Sequence, residues 1–212
     1  MKVNSKDMRL YVVTTRDFLK EKSLEEECEE ILQSGATFLQ LREKNIDDDE
    51  YLALAKKIKL IADKYKVPFV IDDNVNVAVK SGADGVHVGQ EDMKASCVRE
   101  LIGDNKILGV SVQTVEQAIK AEEDGADYLG IGPVFPTDTK PGVATVDLEI
   151  VKKIKEKVSI PILVIGGIND RSIYDVVKTN TDGVAVVSYI FASEDKKEST
   201  KRLRMLSDEL FG

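Results

Sequence analysis

At 212 residues with a formal net charge of −8, the chain is long enough for one full-sized core, and its acidic balance excludes a nucleic-acid binder, which needs a basic face. The basic residues are spread out rather than clustered, no N-terminal apolar run resembles a signal peptide, and nothing approaches the ~18 apolar residues that span a bilayer. Cys28 and Cys97 lack C-x-x-C spacing and read as reduced thiols, so the expectation is a cytoplasmic protein with small-molecule partners, no nucleic acid and no membrane.

Short β-branched runs alternate with amphipathic stretches along the whole chain. In chain order the strand candidates are residues 10–14, 38–42, 69–72, 85–88, 107–111, 128–132, 162–166 and 183–188. Helix patterns are clearest over 24–33, 48–65, 115–123, 148–157 and 171–178. Such alternation specifies parallel strands joined by crossover helices. Eight units in this length fit a single α/β domain over residues 1–212, a (β/α)8 TIM barrel rather than an open sheet.

A weak internal repeat supports closure. Ser34-Gly35-Ala36-Thr37, Ser81-Gly82-Ala83-Asp84 and Asp124-Gly125-Ala126-Asp127 each end a helix and launch an apolar strand, and Asn180-Thr181-Asp182-Gly183 is a degraded fourth copy. Glycine just past a helix end supplies the left-handed turn that reverses the chain. The copies recur at intervals of about two β/α units, so four modules make eight strands.

In a barrel of this kind alternate strand residues point inward, and chemistry sits at the C-terminal rim. Strand two directs Gln40, Arg42 and then Lys44 toward the mouth while Leu39 and Leu41 face the helices. Strand three ends in Asp72-Asp73-Asn74, and the turn after strand four carries Gln90-Glu91-Asp92. Carboxylates from adjacent strands beside Arg42 and Lys44 suit a hard cation, since Mg2+ is held by one or two carboxylates with water and phosphate. Either Asp72 or Asp73 also suits the cap of the following helix. Ser111, on the inward face of strand five, either reads a ligand amine or satisfies the barrel interior. The loop Gly132-Pro133-Val134-Phe135-Pro136-Thr137-Asp138-Thr139-Lys140-Pro141-Gly142 offers two hydroxyls and an ammonium to an anion. Gly166-Gly167 after strand seven and Val187-Ser188 after strand eight stand where such barrels bind phosphate through backbone amides. His87, the only histidine, lies inside strand four and reads as structural.

From about residue 10 to 192 these motifs resemble, in the same order, the thiamine phosphate synthase family. Those that match are Gln40-Leu41-Arg42-Glu43-Lys44, Gly85-Val86-His87-Val88-Gly89-Gln90-Glu91-Asp92, Gly109-Val110-Ser111, the loop from Gly132 to Lys140, Gly166-Gly167-Ile168 and Val187-Ser188. The resemblance implies condensation of 4-amino-2-methyl-5-hydroxymethylpyrimidine diphosphate with 4-methyl-5-(2-phosphoethyl)thiazole to give thiamine phosphate and pyrophosphate. It further implies that Gln40, Arg42, Lys44 and Lys140 hold the pyrimidine diphosphate and that Ser111 contacts the pyrimidine. Asp73 and Asp92 would ligate Mg2+, and Thr137, Thr139, Gly167, Val187 and Ser188, with Gly166 beside them, would bind the thiazole phosphate. Arg42, Lys44, Lys140 and Ser111 are thereby the catalytic set. One departure matters: the family usually has Asn where Asp72 stands, next to the substrate. A homo-oligomer is left open.

Two other readings compete. A thiazole tautomerase-like isomerase resembles the phosphate end of this chain but carries a histidine after strand five, where Gln113 stands. A non-catalytic phosphate-ligand sensor on the same barrel is the other. Magnesium-dependent release of pyrophosphate separates the synthase from both.

Overall fold

The structure is a computed structural model that describes residues 3–137, 139 and 142–212. Eight parallel strands close into a barrel in sequence order, β1 (Leu10–Val13), β2 (Phe38–Leu41), β3 (Phe69–Asp72), β4 (Gly85–Val88), β5 (Ile107–Val112), β6 (Tyr128–Ile131), β7 (Ile162–Ile165) and β8 (Gly183–Val186), with β8 pairing back to β1. Around them lie α1 (Leu24–Gln33), α2 (Asp48–Tyr65), α3 (Val75–Ser81), α4 (Ala95–Ile102), α5 (Val115–Glu123), α6 (Leu148–Lys155), α7 (Ile173–Val176), α8 (Ser188–Phe191) and α9 (Lys196–Phe211). The expected (β/α)8 architecture is present. No helix among the described residues is long and apolar enough to cross a membrane.

Strand alternation splits the apolar residues into two layers. Leu10, Val12, Leu39, Leu41, Ile71, Val86, Leu129 and Val164 pack outward against the helices, where most of the core lies. Tyr11, Phe38, Val70, Ile107, Tyr128, Leu163 and Ala185 fill the barrel itself. Three rings plug its centre: Tyr11 stacks on Phe38 with centroids 4.6 Å apart, and Tyr128 tilts against Phe38 at 5.5 Å. Burying such rings stabilises the interior and leaves their hydroxyls needing partners.

The fourfold repeat has a physical meaning at the N-terminal end of the barrel. Thr37, Asp84, Asp127 and Asp182 each turn a side-chain oxygen back onto the first or second amide of the preceding odd strand, accepting from Leu10, Phe69, Leu108 and Ile162 at 2.8–2.9 Å. Each also donates its own amide to that same residue's carbonyl at 2.7–2.8 Å. The three aspartates are neutralised by Lys59, Arg99 and Lys155. Gly35, Gly82 and Gly125 precede these latches with φ of 111°, 77° and 91°, and Asn180 takes the same role at 57°. These conformations are open to glycine and tolerable for asparagine.

Several boundaries differ from expectation. Five strands end one or two residues early because loop contacts replace the ladder at the mouth; Arg42 N–H, for example, goes to the Thr14 hydroxyl at 3.0 Å. Strand β5 runs one residue longer, to Val112. The helix expected over 171–178 is a single α turn followed by a 3-10 turn, Val177–Thr179. There the Asn169 side-chain Oδ1 accepts the amides of Arg171 and Ser172, so helix geometry starts only at Ile173. Helix α9, which no apolar period announced, docks through buried Thr200, Leu203 and Ser207. The Ser207 hydroxyl donates to the Arg9 carbonyl, Arg204 donates to the Gly35 carbonyl at 2.9 Å, and Lys196 pairs with buried Glu27 at 3.1 Å.

Candidate active site

At the C-terminal ends of β2 and β3 the inward residues meet as the alternation requires. Asp72 is largely buried, and its Oδ1 accepts from the Gln40 side-chain amide. Its Oδ2 lies 3.7 Å from Arg42 Nε and 3.6 Å from Lys44 Nζ. Lys44 makes a closer bond, 2.7 Å, to Asp73. Glu43 points away and pairs with Arg16 at 2.9 Å, leaving Arg42 for the interior. Neither Asp72 nor Asp73 caps the next helix. Asp73 adopts φ 59°, and Asn74 becomes the N-cap, its side chain accepting from Val77 N–H at 2.9 Å.

Three carboxyls in so small a space cannot all ionise freely. Burial, then the neighbouring Asp73 charge, pushes Asp72 up to about 7 despite Lys44 and Arg42. For Asp73, burial is outweighed by hydrogen bonds from Lys44 and Asp92, and its carboxyl sits below the usual range. Asp92 is raised by burial, and its bond and repulsion with Asp73 outweigh the Gly89 amide that its Oδ2 accepts at 2.8 Å. Asp73 and Asp92 are therefore a coupled pair in which the charge on one disfavours the charge on the other.

Across the barrel, Ser111 Oγ lies 2.8 Å from His87 Nε2, and His87 Nδ1 lies 2.9 Å from the Tyr128 hydroxyl. Tyr128 meets Tyr11 at 2.8 Å, and Tyr11 donates to Gln40 Oε1 at 2.9 Å. Gly109 makes the space: a Cβ there would fall 2.2 Å from the Tyr128 ring and 2.5 Å from His87 Nδ1. Burial lifts both phenols well above the ordinary tyrosine range, so they keep their protons.

On the β6–β8 side the loop after β6 is pinned to β7 through Val134 N–H on the Ile165 carbonyl at 2.9 Å. Gly166 and Gly167 have positive φ, and a Cβ at Gly167 would lie 2.6 Å from Phe135 Cβ. Thr137 Oγ1 accepts the Thr139 amide at 3.3 Å. Lys140 lies outside the described residues.

A cavity of about 440 Å³ joins these walls. Gln40, Arg42, Asp72 and Ser111 line one side, and Thr137, Thr139, Gly166, Gly167, Val187 and Ser188 the other. Lys44 and Asp73 stand just beyond the lining, tied to it through Asp72, and Asp92 meets it at the Gly89 amide. Sequence reasoning missed Tyr11 and Tyr128, and gave His87 no place in the cavity wall. The available signal was alternation: Tyr11 shares its face with Val13 and Tyr128 with Gly130, and a phenol inside a barrel needs a partner.

A parallel barrel whose rim sets cations and paired carboxylates opposite hydroxyls and close-approach glycines defines an enzyme of phosphorylated small molecules. A family model described as thiamine monophosphate synthase matches residues 10–190, and the chain belongs to that family. It is 47% identical over 197 residues to the thiamine-phosphate synthase of Clostridium tetani, covering 93% of this chain and 94% of that protein. It is 46% identical to the one from Alkaliphilus oremlandii, covering 93% and 95%. The solved thiamine phosphate pyrophosphorylase of Pyrococcus furiosus superposes with a TM-score of 0.89 at 40% identity, covering 98% of this chain and 99% of that one.

Proposed function

We propose that this chain joins 4-amino-2-methyl-5-hydroxymethylpyrimidine diphosphate to 4-methyl-5-(2-phosphoethyl)thiazole, releasing pyrophosphate and thiamine phosphate. The observation that carries the reading is the two-walled cavity, with cations and carboxylates facing a glycine and threonine wall. One wall suits a diphosphate with its cation and the other a second phosphate. Family membership supplies the chemistry to which these walls are fitted.

In this reading the pyrimidine C–O bond breaks first, its electron pair leaving with pyrophosphate, and the thiazole nitrogen donates its own pair to the resulting methylene cation. No protein nucleophile is needed. Arg42 and Lys44, with Lys140, hold the departing pyrophosphate, which is charge stabilisation at the point where charge develops. Gln40 and Ser111 orient the pyrimidine. Thr137, Thr139, Gly166, Gly167, Val187 and Ser188 hold the thiazole phosphate so that its nitrogen is in line, an orientation effect worth up to ~7–11 kcal/mol.

The donor set fits Mg2+. Asp73 and Asp92 form a coupled carboxyl pair beside Lys44, and a cation between them would relieve their repulsion. Among the described residues no group of three or more His, Cys, Asp or Glu side chains is placed to hold a metal ion; Asp73 and Asp92 would hold it, with water and phosphate oxygens completing its shell, a usual arrangement for Mg2+. When bound, the ion supplies positive charge beside the diphosphate. An isomerase reading is disfavoured at Gln113, whose amide donates to the Gly132 carbonyl at 3.3 Å and carries no titratable proton. The test is to mix both substrates with Mg2+ and measure pyrophosphate and thiamine phosphate. Equal release of the two is expected, and release of neither overturns the reading.

A further inference from the structure

We propose that a hydrogen-bond chain across the barrel interior fixes His87 as its Nδ1–H tautomer, and so makes Ser111 present an acceptor to the cavity, selecting a ligand with a hydrogen-bond donor such as an amino group there. The part about the ligand rests on the reading of the cavity as an aminopyrimidine site; the part about the tautomer does not.

The direction of the chain follows from counting hydrogens. Asp72 Oδ2 faces Arg42 and Lys44, so Oδ1 is a carboxylate acceptor, and the Gln40 group against it must be the amide nitrogen. The reverse orientation would set two acceptors face to face. Gln40 Oε1 is thereby turned to Tyr11, which spends its single hydrogen on it. Tyr11 has only lone pairs left for Tyr128, so at 2.8 Å Tyr128 is the donor. Tyr128 has then also spent its hydrogen, and the 2.9 Å contact with His87 Nδ1 requires Nδ1–H. A neutral imidazole carries one hydrogen, which leaves Nε2 as an acceptor. Ser111 must donate to it at 2.8 Å, and only the serine lone pairs remain for the cavity it lines.

The chain links six strands, β1 to β6, and every member is buried or half-buried. Gly109 and Gly130 flank it; a Cβ at Gly130 would come within 3.3 Å of the His87 ring. The geometry thus gives His87, Tyr128 and Tyr11 the role of positioning residues. Tyr11 lies two hydrogen bonds from the imidazole, yet removing its hydroxyl takes away the acceptor that fixes Tyr128. In Tyr11→Phe, Tyr128 can turn its hydrogen to Nδ1, His87 becomes the Nε2–H tautomer, and Ser111 reverses to a donor.

His87 is the only histidine, so protein labelled with 15N-histidine gives one ring to observe. Two-bond 1H–15N correlation on the full chain at about pH 8, above the ordinary imidazole pKa of ~6.5, reads the tautomer directly. The expected result is a protonated Nδ1 and a bare Nε2 in the wild type, reversing in Tyr11→Phe. A wild-type Nε2–H tautomer, or a ring protonated on both nitrogens, overturns the inference, as does an unchanged tautomer in folded Tyr11→Phe. Tyr128→Phe gives a second break in the chain if Tyr11→Phe does not fold. In parallel, the 4-oxo analogue of the pyrimidine diphosphate should bind the wild type more weakly than the 4-amino compound, by on the order of tenfold for one mismatched hydrogen bond. Tyr11→Phe should narrow that preference, and an undiminished preference overturns the selectivity claim. Failure of pyrophosphate release would reject the proposed reaction but leave the tautomer measurement standing.

Discussion

Asp72→Asn tests how the cations at the mouth are shared. In the ligand-free site, Arg42 and Lys44 lie within 3.7 Å of the Asp72 carboxylate, and a diphosphate must draw both cations away from it. The least costly way to release them is to protonate Asp72, whose carboxyl burial has already pushed up to about 7. The proton can go to Oδ2, leaving Oδ1 to accept from Gln40. The penalty is then set by the ionised fraction, so the wild type should bind more weakly than Asp72→Asn by a factor of about 1 + 10^(pH − 7), which is ~1.1 at pH 6, ~2 at pH 7 and ~11 at pH 8. Ionisation of the diphosphate itself cancels in the ratio of the two proteins. Calorimetric titration of the pyrimidine diphosphate at fixed Mg2+ and three pH values measures it. A ratio that does not rise with pH, or weaker binding by the variant at pH 8, refutes the reasoning. The same linkage acts on stability. An acid raised in the folded state favours folding while it is protonated, so wild-type stability relative to Asp72→Asn should fall as pH rises from about 4 to about 7.

Arg42→Ala should lower turnover by on the order of 10²–10³ with the fold intact by circular dichroism, as expected for a lost donor to a departing anion; near-normal turnover rejects its assignment. Asp73→Ala and Asp92→Ala should each raise the Mg2+ concentration for half-maximal activity, and equal activity in EDTA and in Mg2+ would dispose of the metal site. Gly167→Ala places a Cβ 2.6 Å from Phe135 at φ 65°; its KM for the thiazole phosphate should rise while affinity for the pyrimidine diphosphate holds, and parallel loss of both would argue for general collapse. Asp84→Ala removes the acceptor of Phe69 N–H at the opposite end of the barrel; it should cost about 1–3 kcal/mol, seen as a lower melting temperature with kcat unchanged.

The barrel was legible because its signals are local and repeated. The Gly35, Gly82 and Gly125 turns announced four modules, and alternation in Gln40-Leu41-Arg42 named the inward side chains correctly. Less could be read where backbone geometry decides between chemically equal residues. Asp72, Asp73 and Asn74 are all good caps, and only the left-handed turn at Asp73 gives the role to Asn74. Helix α9 escaped notice because its buried face includes Thr200 and Ser207 as well as Leu203, leaving almost no apolar stripe. Tyr11 and Tyr128 escaped because their contact spans 117 residues, and nothing in either strand names the other.

The latches at the foot of the barrel also bear on how the ring is assembled. Their side-chain bonds join residues only 27, 15, 19 and 20 positions apart, so each β-α-β leaf can hold its own register before it meets the others. Short loops close at low entropic cost and early in time. The seam between β8 and β1 is different: it joins the two ends of the ring, and the bond from Ser207 to Arg9 that secures it spans 198 residues. Three of the four leaves can therefore be set while the chain is still being made, whereas the cavity, which needs walls from β2 and from β8, exists only after the last helix has fastened the circle.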